Sequence, residues 1–320
     1  MGLNDLDNKD EGDQWERDTL EKVLFASLKE QRRTRRWGIF FKLLFSIYVF
    51  FIIWSFNPID IEMKPGKSDR HVALVELTGV IADGAPANAH RIIAGLQDAF
   101  EDKKTAAVIL EINSPGGSPV QSGYMNDEIR RLRKQYTDIP LYVVIEDICA
   151  SGGYFVAVAA DQIYANKASI VGSIGVRMDG FGFVEAMNKL GVERRLLTAG
   201  EHKGFLDPFL PRREEDEAHI KGLLNNIHQQ FITVVKNGRG NRLEDDPMIF
   251  SGMVWTAEQA LEKGMIDGFG SSEYVAREIV GVDNLVDFTP QPDLLEQFSA
   301  RFGASVAAGL SEYIGLSGIH

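Results

Sequence analysis

Ser151 stands in "DICASGGYFVAVAAD", Asp147 to Asp161, between an alanine and two glycines and just ahead of an apolar, helix-like stretch. A serine there has two uses. Its hydroxyl can cap the helix that follows, satisfying backbone N–H groups that have no partner within the helix. Alternatively it is a nucleophile set at the mouth of an apolar core, and then it needs a base within reach. The chain has six histidines. His71 and His90 fall near the start of the main apolar-patterned region, His219 and His228 on the solvated face of a charged helix, and His320 at the last position. Only His202 sits in a glycine-flanked turn, "TAGEHKGFLDPF" (Thr198 to Phe209), and Lys203 is its neighbour.

A lysine can act as base only when neutral. Its ordinary pKa of about 10.4 has to fall to roughly 7–8, a shift of about three units or about 4 kcal/mol of differential solvation. Burial supplies such shifts. Gly200 and Gly204 allow close backbone approach, and Phe205, Leu206 and Phe209 offer apolar cover, whereas Glu201 opposes the shift if it faces the amine. Spacing alone leaves a surface lysine and a catalytic one both open.

The elements that must position these groups alternate. "HVALVELTGVI" (His71–Ile81) reads as a strand, and Ile92, Ile93, Leu96 and Phe100 follow at helical spacing. "AAVILEI" (Ala106–Ile112) and "LYVVIE" (Leu141–Glu146) are continuous apolar strands of the kind buried on both faces, separated by an amphipathic helix from Val120 to Tyr136. "QIYAN" is a further short strand. Strands alternating with helices predict parallel βαβ units. Two units share one plan: a buried strand, a glycine turn, a helix. The turns are "SPGG" (Ser114–Gly117) and "ASGG" (Ala150–Gly153). In a parallel sheet both belong to the C-terminal edge, where free N–H groups converge and suit an anion, including the oxyanion of a tetrahedral intermediate. Neither turn matches a phosphate-loop or dinucleotide fingerprint. "VWTAEQALEKGMID" (Val254–Asp267) reads as a structural helix capped by Thr256 and ending at Gly264.

The 320 residues carry a net charge of −12, which argues against nucleic acid as a partner. With Cys149 the only cysteine, no internal disulfide can form. Trp37 to Phe56 reads "WGIFFKLLFSIYVFFIIWSF". As a helix it spans about 30 Å, the hydrocarbon thickness of a bilayer, with tryptophans near both ends and Lys42 able to snorkel. Arg32, Arg33, Arg35 and Arg36 precede it, so the positive-inside rule keeps the N-terminus cytoplasmic and sends the rest across. The expected organisation is a cytoplasmic tail (1–36, with a short helix near Trp15 to Glu30), a transmembrane helix (37–56), a linker (57–70), the main domain (71–288) and an amphipathic C-terminal tail (289–320).

The ordered set "INSPGGSP", "ASGGYFVAVAAD", "SIVGSIGV", "GEHKGFLDPF" and "GMVWTAEQALEKGMIDGFG" resembles the signal peptide peptidase A family, membrane-anchored bacterial serine proteases with a Ser–Lys dyad. The resemblance covers Val72 to Val282 and one motif set, as in the short single-domain form. It implies an α/β fold of the Clp protease/crotonase type, a superhelix of ββα units. It also implies Ser151 as nucleophile, Lys203 as general base and Ser173, in "GSIGV", as the hydroxyl that orients the lysine. The oxyanion donors would be the N–H of Gly152 and that of Gly116 or Gly117, with no metal and no cofactor. By the same resemblance the substrates are cleaved signal peptides in the inner membrane. The subunits would form a homo-oligomeric ring of about eight copies in which neighbours share sites. Alternatives to weigh are a histidine-based hydrolase using His202, a protease working on membrane proteins with a stomatin-like partner, and a non-catalytic membrane scaffold of the same fold.

Overall fold

The computed structural model describes residues 33, 35–51 and 70–291. The chain divides into two units, Met1–Lys67 and Ser68–His320. In the first, residues 35–51 form helix α1, with its aromatic side chains largely exposed. Among the described residues no helix is long and apolar enough to cross a membrane. The expected span 37–56 runs past residue 51, and its last five residues lie outside the described residues. So do residues 1–32 of the expected tail, 57–69 of the linker and 292–320 of the C-terminal tail.

The second unit is built on one eight-stranded sheet. Strand β1 (His71–Thr78), helix α2 (Ala89–Glu101), β2 (Thr105–Ser114), α3 (Pro119–Gln135) and β3 (Leu141–Ala150) form the two expected βαβ units. β1–β2 and β2–β3 pair parallel. β2 is buried over nearly its whole length, as its unbroken apolar run requires. α2 starts at Asn88 and α3 at Ser118, each of which caps its helix through its side chain. The first strand ends at Thr78 rather than Ile81, because Gly79 turns the chain at φ 95°.

α4 (Gly152–Ala157), β4 (Gln162–Ala165), β5 (Ile170–Gly172), α5 (Val184–Leu190) and α6 (Glu214–Arg239) follow. Then come β6 (Val254–Thr256), α7 (Ala257–Glu262), β7 (Gly268–Phe269), a helical segment at 272–280, and β8 (Leu285–Asp287). The order is β6-β5-β3-β2-β1-β8, with β4 beside β3 and β7 beside β4. Only the β5–β6 pair is antiparallel. The stretch expected as one helix from Val254 is a strand that becomes a helix at Thr256. There Thr256 and Gln259 form a reciprocal capping box. β3 pairs with β4 through Tyr142–Ile145 and with β5 through Ile148–Ala150. That change of neighbour carries the strand end out to Ser151.

The main core lies between one sheet face and α2, α3, α4, α6 and α7. A smaller cluster on the other face joins Val72, Ile109, Val144 and Tyr164 to Val275 and Ala276. Beneath α6 lies a buried ion pair. Arg239, 2% exposed, donates to both carboxylate oxygens of Asp267 at 2.8 and 2.9 Å and to the Gly264 carbonyl at 2.8 Å. Asp267 also accepts from Arg242 at 3.1 Å and from the Ile163 N–H at 2.8 Å. Burial by itself raises the Asp267 pKa, but its arginine and backbone donors outweigh that and hold it below the usual aspartate value. With the folded value depressed, this group contributes stability that is complete above the ordinary aspartate pKa and is lost as pH falls through the native one.

Asp267→Asn should therefore destabilise the domain by about 3–5 kcal/mol at neutral pH, since it leaves Arg239 buried without its counter-charge. The variant's stability should also fall less steeply under acid than the parent's. Urea titrations of both proteins from pH 7 to pH 3 check this, and parallel curves would contradict it.

Candidate active site

Ser151 follows the last residue of β3 and holds φ 51°, ψ −121°. Its N–H donates to the Gly172 carbonyl at 2.8 Å, and its carbonyl accepts from Phe155 at 3.0 Å. Ser151 occupies the cap position of α4, yet its side chain makes no capping hydrogen bond. The helix behind it is buried at Gly152, Gly153, Tyr154, Val156 and Ala157. Tyr154 is anchored through its hydroxyl to the Met265 carbonyl at 2.8 Å. The hydroxyl of Ser151 is thus presented on a fixed turn and left uncommitted.

The Gly116–Gly117 turn lies directly against it. A Cβ on Gly116 would fall 2.6 Å from the Gly152 nitrogen and 2.7 Å from the Ser151 Cβ. One on Gly152 would fall 2.5 Å from Ser122 Oγ and 3.2 Å from the Gly117 nitrogen. Gly117, at φ 153°, is bridged to Ile81, whose carbonyl a Cβ would strike at 2.0 Å. Both turns need glycine because backbone meets backbone there. The two candidate donors in this turn differ. The Gly116 N–H donates to Ser114 Oγ at 3.1 Å, and that hydroxyl donates in turn to the Gly79 carbonyl at 2.6 Å. The N–H groups of Gly117 and Gly152 have no acceptor among the described residues.

Ser173 is brought alongside. Ala150 and Gly172 are register partners in the parallel β3–β5 pair, so Ser151 and Ser173 each follow directly on a paired strand end. Ser173 holds φ 53°, and its N–H donates to the Met253 carbonyl at 2.7 Å. Among the described residues the non-glycine positions with positive φ are Ser151, Ser173 and Leu206. All three fall in the segments that the sequence marks for chemistry. Each such conformation costs about 1–3 kcal/mol and persists only where its surroundings impose it.

Lys203 belongs to a different part of the chain's bonding network. Residues 177–213 form an arm whose hydrogen bonds, ion pairs and ring contacts stay within the arm and the first half of α6. Lys203 is exposed, and among the described residues its side chain bonds neither Ser151 nor Ser173. Phe205, Leu206 and Phe209, the expected apolar cover, are themselves about two-fifths exposed. The arm also presents Phe181 at 82%, Leu190 at 77% and Leu197 at 96% exposure. A cavity of about 800 Å³ opens between the arm and α6, lined by Leu196, Leu206, Leu210, Ile220 and Glu201 among others. A single chain therefore does not dry out the lysine.

His202 does not reach Ser151 either. It lies 3.8 Å from Asp216 and is 60% exposed. His202, Glu215 and Asp216 could converge on a metal ion. Arg213 already pairs with both carboxylates, at 3.2 and 3.0 Å, and the α6 N-terminus disfavours a cation. His228 differs from its sequence reading. It is half-buried, with Nε2 3.1 Å from the Ile174 carbonyl rather than in solvent. Its spacing of three and seven residues from Phe231 and Val235, both buried, is the signal that could have placed it.

If the turn at Ser173 is strained, glycine there should be more stable than alanine. Ser173→Gly and Ser173→Ala both remove the hydroxyl, and the glycine variant should exceed the alanine variant by about 1 kcal/mol in urea unfolding. Equal stabilities would show that the backbone stores nothing there.

The family model described as Peptidase family S49 matches residues 133–284, a span that contains Ser151, Ser173 and Lys203. The chain is 44% identical over 218 residues to the Na+/H+ antiporter NhaA of Brucella abortus, covering 67% of this chain but only 30% of that protein's length. An Enterococcus faecium protein provisionally assigned as signal peptide peptidase SppA is 29% identical over 247 residues, 74% of this chain and 71% of its own. A provisionally assigned protease of Methanocaldococcus jannaschii is 31% identical over 224 residues, 70% of this chain and 66% of its own. On these matches the chain belongs to peptidase family S49.

Proposed function

We propose that this chain is a serine endopeptidase with a Ser–Lys dyad, held on the outer face of the cytoplasmic membrane by residues 37–56. The observation that carries the reading is the Ser151 turn: a strained, uncommitted hydroxyl beside two N–H groups, Gly117 and Gly152, that have no acceptor of their own. Lys203, as the free amine, takes the proton from Ser151 Oγ while that oxygen attacks the peptide carbonyl carbon. The negative charge that develops on the carbonyl oxygen falls to Gly117 and Gly152. Gly116 is left to its bond with Ser114. Lys203 then returns the proton to the amide nitrogen as the C–N bond breaks, and water hydrolyses the acyl-enzyme. Ser173 orients the amine from the neighbouring strand end.

Membership in a peptidase family supports this reading, as does the change of partner along β3, which brings the Ser151 turn beside the Ser173 turn at one sheet edge. The exposed arm bears on assembly. A neutral lysine needs an apolar enclosure, and the arm offers apolar side chains with nothing over them in one chain. A closed ring of about eight copies, each covering its neighbour's arm, would supply it. Cleaved signal peptides and other apolar peptides are the fitting substrates.

Ser151→Ala should abolish hydrolysis of such peptides yet leave urea stability within about 0.5 kcal/mol of the parent. A capping serine would instead cost about 1 kcal/mol on removal. Lys203→Ala should prevent acyl-enzyme formation while His202→Ala should not. Activity surviving in Ser151→Ala, or acylation lost only in His202→Ala, would refute the dyad. The full chain should also stay with the membrane fraction after an alkaline wash, and release by that wash would count against the anchor.

A further inference from the structure

α6 returns from the arm across the nucleophile helix. Phe231, 5% exposed, packs against Phe155 with the rings tilted and their centroids 5.2 Å apart, and Val235 is fully buried. At Gly238 a Cβ would strike the Val158 carbonyl at 2.1 Å, so helix meets helix without a side chain between. His228 continues the same stripe one turn earlier. Its Nε2 lies 3.1 Å from the carbonyl oxygen of Ile174, the residue after Ser173. A carbonyl oxygen only accepts, so Nε2 carries the proton and donates. Ile174 is itself fully buried, and the other side of this turn is held by the Ser173–Met253 bond and by the close approach of Gly175 to Gly252. The chain between Ile174 and His228 contains the entire arm, Lys203 included.

We propose that His228 is a positioning residue for the dyad: its Nε2–H···O=C bond to Ile174 ties the strained Ser173 turn, at the root of the Lys203 arm, to the helix that rests on the Ser151 helix. It touches no substrate. It fixes where Ser173 presents its hydroxyl and where the arm departs from the sheet. Without the bond the buried Ile174 carbonyl loses its donor, and the turn can relax toward an ordinary backbone conformation. The inference rests on the Ser–Lys reading, because it assigns His228 to the geometry of that pair.

The test uses the full chain in detergent micelles and an internally quenched apolar peptide. His228→Leu keeps the bulk and removes the donor, His228→Asn keeps an amide too short to reach, and His228→Gln restores a donor at the distance of Nε2. The Leu and Asn variants should lose about tenfold or more in kcat with KM within about twofold, as expected when reacting groups shift by a fraction of an ångström. Gln should recover most of that loss. If the Leu variant does not fold, the Asn–Gln comparison decides alone. Unchanged kcat in Asn, a Gln variant as impaired as Asn, or a loss confined to KM would overturn the assignment. Ser151→Ala measured in parallel separates the two levels. If it is inactive while His228→Asn is normal, only the positioning role fails. If it remains active, the dyad fails and this inference with it.

Discussion

The backbone of Ser151 stays in a conformation that L-residues avoid, and much of the second unit can be read as the means of keeping it there. Its N–H is tied to β5, its carbonyl opens α4, and Gly116 is pressed against its Cβ so closely that it could not carry a side chain, while Ile81 closes off Gly117. Those three constraints come from three separate elements, each embedded in the main core. Release of any one would let the turn relax by the 1–3 kcal/mol that such conformations typically store. The burial of β2 and β3 therefore does more than stabilise the domain. It sets the positions of the strand ends from which both glycine turns spring.

The site is divided between a stiff half and a loosely covered one. Ser151, Ser173, Gly117 and Gly152 sit on strand ends and turns fixed by the backbone bonds of Ser151 and Ser173 and by the Ile81–Gly117 bridge. Lys203 sits on an arm that leaves the sheet after Ser173 and, among the described residues, bonds only to itself and to α6. In the mechanism proposed, these halves do different work. Stabilising an oxyanion calls for donors that do not move, whereas lowering the pKa of an amine calls for removal of water, which a cover can provide or withdraw. The apolar side chains on the arm mark where such a cover would rest.

α6 joins the two halves. One of its faces carries Phe231, Val235, Gly238 and Arg239, which bind it successively to α4 and, through Asp267, to the end of the segment after α7. Extending that stripe backward reaches His228 at the base of the arm. A buried ion pair at the C-terminal end of the helix and a hydrogen bond from its middle to the Ser173 turn make the second half of α6 a strut rather than a surface helix, despite its acidic first turn.

Much of this was legible in the amino-acid order. The unbroken apolar runs of β2 and β3 could only be strands buried on both faces, and a glycine turn after each could only lie at one edge of a parallel sheet. Ser151, Ser173 and the glycines were marked by motif, and Thr256 by its capping pattern. Other features depend on through-space neighbours that residue order does not encode. Whether Ser151 spends its hydroxyl on capping, which of Gly116 and Gly117 keeps a free N–H, and whether His228 meets water or the Ile174 carbonyl are settled by residues 2 to 54 positions away. So is the exposure of Lys203, since apolar residues beside it in sequence do not enclose it in space. Local chemistry determined the elements and the reactive residue types. Tertiary packing alone decided which polar groups were already paired and which were left free to react.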